Sequence, residues 1–459
     1  MSVVTISMPV IAAETGQSQT LNSLFQAAVS EYDAGHFSQA AEKLESLLPQ
    51  APESFEVHEL LGMVYAAESE ETKANQHLAK AVQIKPDSPE ARTNLATNLV
   101  HLGKLTSAEA EFKKAEQLAP SSYDTNHNLG EFYIAAGKVN TASAYLEKAQ
   151  HLNPAAYDNG YDLALAYLDT GRLSDSRTLV NHLLEQKNTA ELHNLLGQIE
   201  EKDGNFVPAE TEYQTAAHMD PSESNLFDWG SELLVHRTLD AAVDVFQSAT
   251  ARYPNSARLA IGLGMTLYSR GNYDDAVKAL LKAADLSPSD PRCYYFLSKA
   301  YDSSPNEAEE VIQRFRHFAD LQSNNARAPY YYAMSLWKGR RTEDSNLNLP
   351  QIEALLKKSI TLDPNFAEAH LQLGNLWSDQ HKYEDAIPEY KTALRLNNTL
   401  ADAHYRLGQA YVHTGQRDLA QKQLQVYQQL RAAHMAELDK QRAEIRQFVI
   451  SEREGAKQP

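Results

Sequence analysis

Along almost the whole chain a hydrophobic residue followed by a small one returns at a fixed interval. The pairs are Leu61-Gly62, Leu95-Ala96, Leu129-Gly130, Leu163-Ala164, Leu196-Gly197, Trp229-Gly230, Leu263-Gly264, Leu297-Ser298, Leu373-Gly374 and Leu407-Gly408. Most steps are 34 residues and two are 33, and an earlier, degenerate unit carries Ala27-Ala28. Alanine repeats in step at Ala40, Ala74, Ala108, Ala142, Ala209, Ala242, Ala276, Ala386 and Ala420. A further register runs through Ala81, Ala115, Ala149, Ala216, Ala249, Ala283 and Ala393, and proline closes many units, as at Pro52, Pro86, Pro120, Pro154, Pro221, Pro254, Pro288 and Pro364. A period of this length marks an array of supersecondary units.

Each unit reads as two antiparallel helices of about a dozen residues joined by a short turn. Gly35-His36-Phe37, Gly204-Asn205-Phe206 and Gly271-Asn272-Tyr273 are such turns. The small residue sits where two helix axes approach most closely, and Leu and aromatic side chains fill the space beside it. Proline stops the second helix because it lacks the N–H that the next turn needs. One pair cannot bury its own apolar face; stacked neighbours can.

These residues resemble the tetratricopeptide (TPR) family, whose pattern is W-x₂-L-G-x₂-Y…A-x₃-F…P. Leu61-Gly62…Tyr65, Leu129-Gly130…Tyr133, Leu373-Gly374…Trp377 and Leu407-Gly408…Tyr411 carry its first part. Ala209…Tyr213 and Ala386…Tyr390 carry the second, with Tyr for Phe. The resemblance implies an all-α, right-handed superhelical α-solenoid of about twelve helix-turn-helix repeats over residues 21–434. Residues 1–20 are then a disordered tail or signal-like segment, and 435–459 a capping helix and tail.

The pattern breaks in the ninth and tenth units. Ser303-Ser304-Pro305-Asn306 replaces the usual turn, Met334 stands where Gly or Ala is expected, and Lys338 to Leu349 adds a polar loop with Arg340 and Arg341. The same stretch holds Tyr294, Tyr295, Phe296, Tyr301, Tyr330, Tyr331, Tyr332 and Trp337. Past Gln416 neither Gly nor Pro occurs until Gly455, so the last helix is expected to run to about Ile450, as a cap on the solenoid end or as a dimerising helix.

Composition narrows the function classes. The hydrophobic fraction of 42% and charged fraction of 22% are those of an ordered soluble protein. Residues 1–225 carry 14 Lys+Arg against 32 Asp+Glu, and the remainder 28 against 29. An acidic front half repels phosphate backbones, which argues against nucleic acid and suits either plain solubility or a basic partner. Cys293 is the sole cysteine and its apolar neighbours mark it as a buried small hydrophobe. No apolar stretch reaches the roughly 18 residues that span a bilayer. Val3 to Ala13 is mostly apolar but lacks a preceding Lys or Arg, which leaves cytoplasmic and exported locations both open.

Neither H-E-x-x-H, G-x-S-x-G, a P-loop nor C-x-x-C occurs, and no cofactor or metal site is expected. The 16 histidines are scattered and read as solvated or packed among helices. The family resemblance implies a concave groove, lined by the first helix of each repeat, that binds segments of a partner protein or peptide. Register places Tyr268, Tyr295, Lys299, Tyr331 and Ser335 in that groove as the main binding surface, with core packing as the alternative role for the aromatics. Asn94, His127, Asn128 and Glu131 form a secondary, polar stretch. Some family members grip a C-terminal carboxylate through Lys and Asn in successive repeats. Here Asn375 is followed by Arg406 rather than Asn, so that grip is not expected. A non-catalytic scaffold is the leading reading, and a subunit of a larger enzyme complex such as a transferase is the alternative.

Overall fold

The computed structural model describes residues 16–304, 306–339 and 349–432, together with 443, 444, 446, 447 and 450. The apolar stretch Val3 to Ala13, the insertion with Arg340 and Arg341, and most of the expected extension of the last helix lie outside the described residues. Among the described residues every regular element is a helix, and none of the helices is long and apolar enough to cross a membrane.

The chain divides into two units, residues 1–188 and 189–459. The first holds five helical hairpins: α1 (Gly16–Asp33) with α2 (Phe37–Leu47), α3 (Phe55–Ala67) with α4 (Glu71–Ile84), α5 (Pro89–His101) with α6 (Leu105–Leu118), α7 (Tyr123–Ala135) with α8 (Val139–Leu152), and α9 (Tyr157–Asp169) with α10 (Leu173–Gln186). The second opens with α11 (Ala190–Asp203) and α12 (Phe206–Met219), α13 (Glu223–Val235) and α14 (Leu239–Arg252), α15 (Ala257–Arg270) and α16 (Tyr273–Leu286). It continues with α17 (Pro291–Ser303) and α18 (Ala308–Leu321), α19 (Arg327–Lys338) and α20 (Leu349–Leu362), α21 (Ala367–Asp379) and α22 (Tyr383–Leu396), α23 (Ala401–His413) and α24 (Arg417–Ala432). Within each unit a helix packs on its hairpin partner and on the following hairpin, and successive first helices also touch, as in α3 with α5 and α15 with α17.

The small residue of each register does the work expected of it. A Cβ added to Gly62 would fall 2.4 Å from Leu78, one on Gly130 2.5 Å from Leu146, and one on Gly264 2.4 Å from Leu280. Each glycine therefore faces a residue sixteen positions on, in the second helix of its own hairpin, with no room for a methyl group. The turn between the helices needs a left-handed residue. Glycine supplies it at seven of the described turns, Ser69, Arg237 and His381 adopt φ of 61° to 62° at the matching place, and in the irregular turn before α18 the left-handed residue is Glu307, directly ahead of the helix.

Polar contacts repeat with the same period. Ser54, Ser88, Ser122, Thr189, Ser222 and Ser256 cap first helices by accepting from the backbone N–H three residues on. The family tyrosine joins neighbours: Tyr133 donates to Glu109 at 3.0 Å and Tyr167 to Glu147 at 3.0 Å, each carboxylate lying in the preceding hairpin. Histidines at the fourth position of a first helix bridge two elements. His370 contacts the Pro364 carbonyl through Nε2 at 3.1 Å and Glu389 through Nδ1 at 2.6 Å. His404 makes the same pair of contacts with Asn398 and Gln423, and His58 with Pro52 and His77. Three of the scattered histidines thus tie an inter-repeat loop to a second helix.

The apolar core of the second unit changes at α19. One cluster runs from Ala217 to Tyr331, a second from Ala333 to Leu376, and a third from Leu371 to Ala420. The change falls where Met334 replaces the small residue. Half of the eight aromatics of this stretch are core: Tyr294, Phe296, Tyr301 and Tyr331 are buried, and Cys293 with them. Burial pushes the Cys293 thiol far above its ordinary value, so it is not a thiolate at neutral pH.

Candidate partner-binding groove

In the second unit the first helices α13, α15, α17 and α19 lie side by side and touch more extensively than those of the first unit. Register positions that face a groove are partly closed there as a result. Met265 is buried where its counterparts Thr97 and Glu131 in the first unit are exposed, and Phe227 and Ile261 are buried where Thr93 and His127 are half-buried. Ser335 shares this fate. It is 1% exposed and its hydroxyl donates to the Tyr332 carbonyl at 2.8 Å, which corrects its placement on an accessible groove wall.

Tyr295 on α17 is the aromatic that stays half-buried at such a position. A cavity of about 370 Å³ opens beside it, lined by Arg292, Tyr295 and Phe296 of α17 and by Arg327 and Tyr331 of α19. Glu444 and Gln447 complete the lining, and the Tyr295 hydroxyl donates to the Glu444 carboxylate. The Lys299 ammonium stands 5.7 Å from the centre of the Tyr295 ring, and Phe296 meets that ring edge-on at 5.0 Å. Tyr331 is only 5% exposed and packs against Phe315, so it forms the floor of the cavity and belongs equally to the core. Tyr268 does not line the cavity: it sits near the turn end of α15 with its ring 5.6 Å from Tyr273.

Electrostatics follow from this packing. Burial first, then the Glu444 carboxylate, raises the Tyr295 hydroxyl well above its ordinary value, which keeps it a donor at neutral pH. Burial raises Tyr331 too, opposed by the Arg327 guanidinium that interacts with its hydroxyl. Arg292 is held by Asp290 at 2.7 Å. The result is a cation-flanked slot with one fixed phenolic donor, chemically suited to an acidic group.

The polar stretch of the first unit is built differently. Asn94 and Asn128 are half-buried, and Asn94 hydrogen-bonds Glu59 of α3, a residue that sequence reasoning passed over. Burial first, and then the charge of Glu90, pushes the Glu59 carboxyl up to about 7. Asn159 is fully buried and donates to the Leu146 carbonyl at 3.0 Å and to Gln150 at 2.8 Å, so its oxygen is left to accept from His127 Nδ1 at 3.1 Å. His127 Nε2 then faces Glu131 at 3.5 Å, and Asp162 of α9 comes within 4.8 Å of both. These three side chains are the group among the described residues with the donor types and proximity to hold a cation. Their third member comes from the next hairpin, which spacing along one helix does not reveal.

Family models described as tetratricopeptide repeat match residues 25–89 and 227–291, and residues 65–124 and 133–199. Others described as TPR repeat and tetratricopeptide repeat match 378–415 and 402–432. Together these spans exceed half of the chain, and the protein belongs to the tetratricopeptide repeat family. It is similar to anaphase-promoting complex subunit 3 of Schizosaccharomyces pombe, 26% identical over 195 residues, which is 42% of this chain and 28% of that protein. It is also similar to the human protein O-mannosyl-transferase TMTC3, 26% identical over 200 residues, 41% of this chain and 20% of that one. The matches therefore span less than a third of these relatives' length. Among solved structures, Pseudomonas aeruginosa PilF aligns over 46% of this chain and 96% of its own, with 20% identity and a TM-score of 0.41.

Proposed function

We propose that this protein is a non-catalytic scaffold that binds a partner protein or peptide along the first-helix face of its second unit, around Tyr295 and Lys299 with Tyr331 as the floor. The observation that carries this reading is the half-buried Tyr295 in a cation-flanked cavity, at a register position whose neighbours are closed by packing. Tyrosine gives a large, fairly rigid contact with a polar tip, the profile of an interface anchor. The acidic, polar groove at Asn94, His127, Asn128 and Glu131 is the secondary surface. Membership of an enzyme-bearing assembly is the second reading, favoured by the likeness to a protein O-mannosyl-transferase over a fifth of that protein.

Capture of binding proteins from the native host, identified by mass spectrometry, tests the proposal. The Tyr295→Ala chain should lose the captured partner, with affinity falling by more than about 2 kcal/mol. A folded Tyr295→Ala chain that retains its partner at native affinity refutes it.

A further inference from the structure

We infer that the cavity at Tyr295 reads a carboxylate borne on a helical segment, and that its resident ligand is the chain's own C-terminal segment, held through Glu444. The inference rests on the reading of this groove as the partner surface and adds its regulation: a partner enters by displacing the chain's own segment.

Three observations point the same way. The Tyr295 hydroxyl donates to the Glu444 carboxylate across 149 residues of sequence, so the contact is a tertiary docking and not a local accident of the chain. Glu444 and Gln447 are both helical and three residues apart, which places them on one face, and both line the cavity. The opposite wall supplies positioned positive charge, with Arg292 fastened by Asp290 and Arg327 engaged with Tyr331. A phenol with flanking guanidinium groups in a partly desolvated slot favours a carboxylate over a neutral group by charge-assisted hydrogen bonding.

Tethering sets the consequence. A segment joined to its own site competes at an effective concentration on the order of 1 mM. If its intrinsic dissociation constant is about 1 μM, an outside ligand of the same site loses roughly 10³-fold in apparent affinity. The native groove is then closed to weak acidic helices and open to a partner that binds more tightly.

The test uses the full chain and a fluorescent peptide of residues 436–455. Glu444→Lys sets a like charge against Arg292 and Arg327 and should release the segment while leaving the helical circular dichroism unchanged. The peptide should bind the Glu444→Lys chain at least about 30-fold more tightly than the native chain. The same peptide carrying Glu444→Gln should bind that variant about 10-fold more weakly or worse. Equal binding to both chains, binding to neither, or indifference to Glu444→Gln overturns the inference. A native dimer that Glu444→Lys splits into monomers also overturns it, because the segment would then belong to a second copy. If Tyr295→Ala loses the host partner while the peptide binds neither chain, the groove reading stands and the resident-segment inference alone falls.

Discussion

Replacing Gly130 by alanine puts a methyl group 2.5 Å from Leu146 Cδ2 and 2.7 Å from its Cγ. Leu146 is fully buried, so it has to leave its rotamer or α8 has to back away from α7. Overpacking of this kind costs about 1–3 kcal/mol. Alanine in a helix interior returns up to about 1 kcal/mol relative to glycine. The net expectation is a destabilisation of about 1 kcal/mol, rising to about 3 for Gly130→Leu. Truncating the partner reverses the sign. Leu146→Ala alone costs about 2–5 kcal/mol, but in that background Gly130→Ala meets open space and should stabilise by up to about 1 kcal/mol. Chemical unfolding of the four proteins gives the coupling energy, and hydrogen exchange locates it. Faster exchange should be confined to α5 through α10, because a repeat touches only its neighbours. The same sign of effect in both backgrounds, or exchange that accelerates uniformly over the chain, would refute the close-crossing argument.

The Glu59 carboxyl titrates near 7 in the folded protein against an ordinary value of 4.5, so between those values the folded chain holds a proton that the unfolded chain has released. Stability of the first unit should therefore fall as pH rises through this window, by about 1–3 kcal/mol after allowing for partial exposure. Glu59→Gln should remove that fall, matching the native protein near pH 4.5 and exceeding it above pH 7; thermal melts at both ends check this. Tyr331→Ala should cost about 3–5 kcal/mol in urea unfolding, whereas Tyr295→Phe, which keeps the ring and loses one hydroxyl contact, should cost about 1 kcal/mol or less. Ser69→Gly should raise stability by about 0.5–1 kcal/mol, since serine holds φ at 61° where other turns use glycine; a lower midpoint would contradict it.

The twelve hairpins were legible because their defining contact is local. Gly130 meets Leu146 sixteen residues later inside one hairpin, so any sequence that repeats the hairpin repeats the pair. Leu-Gly, Ala and Pro registers report that contact directly. The groove was legible only as a register. Counting places Tyr295 and Ser335 alike on a first-helix face, but it does not say how closely α17 and α19 approach, and that spacing buries Ser335 while sparing Tyr295. Met334 in place of a small residue signalled irregularity without giving its direction. Glu59 was missed because its raised titration comes from burial and from Glu90 in the next hairpin, neither visible in its own sequence neighbourhood. Glu444 was missed for a stronger reason. It lies beyond the last repeat, 149 residues from Tyr295, and no periodicity links the two.

The most direct test of the scaffold assignment is a hydrogen-exchange footprint of the full chain with and without a partner captured from its host. Protection should appear in α17 and α19, centred on the turns of helix that carry Tyr295 and Tyr331, with the second helices α18 and α20 unchanged. Protection confined to those second helices, or to the first unit alone, would contradict the placement of the binding groove.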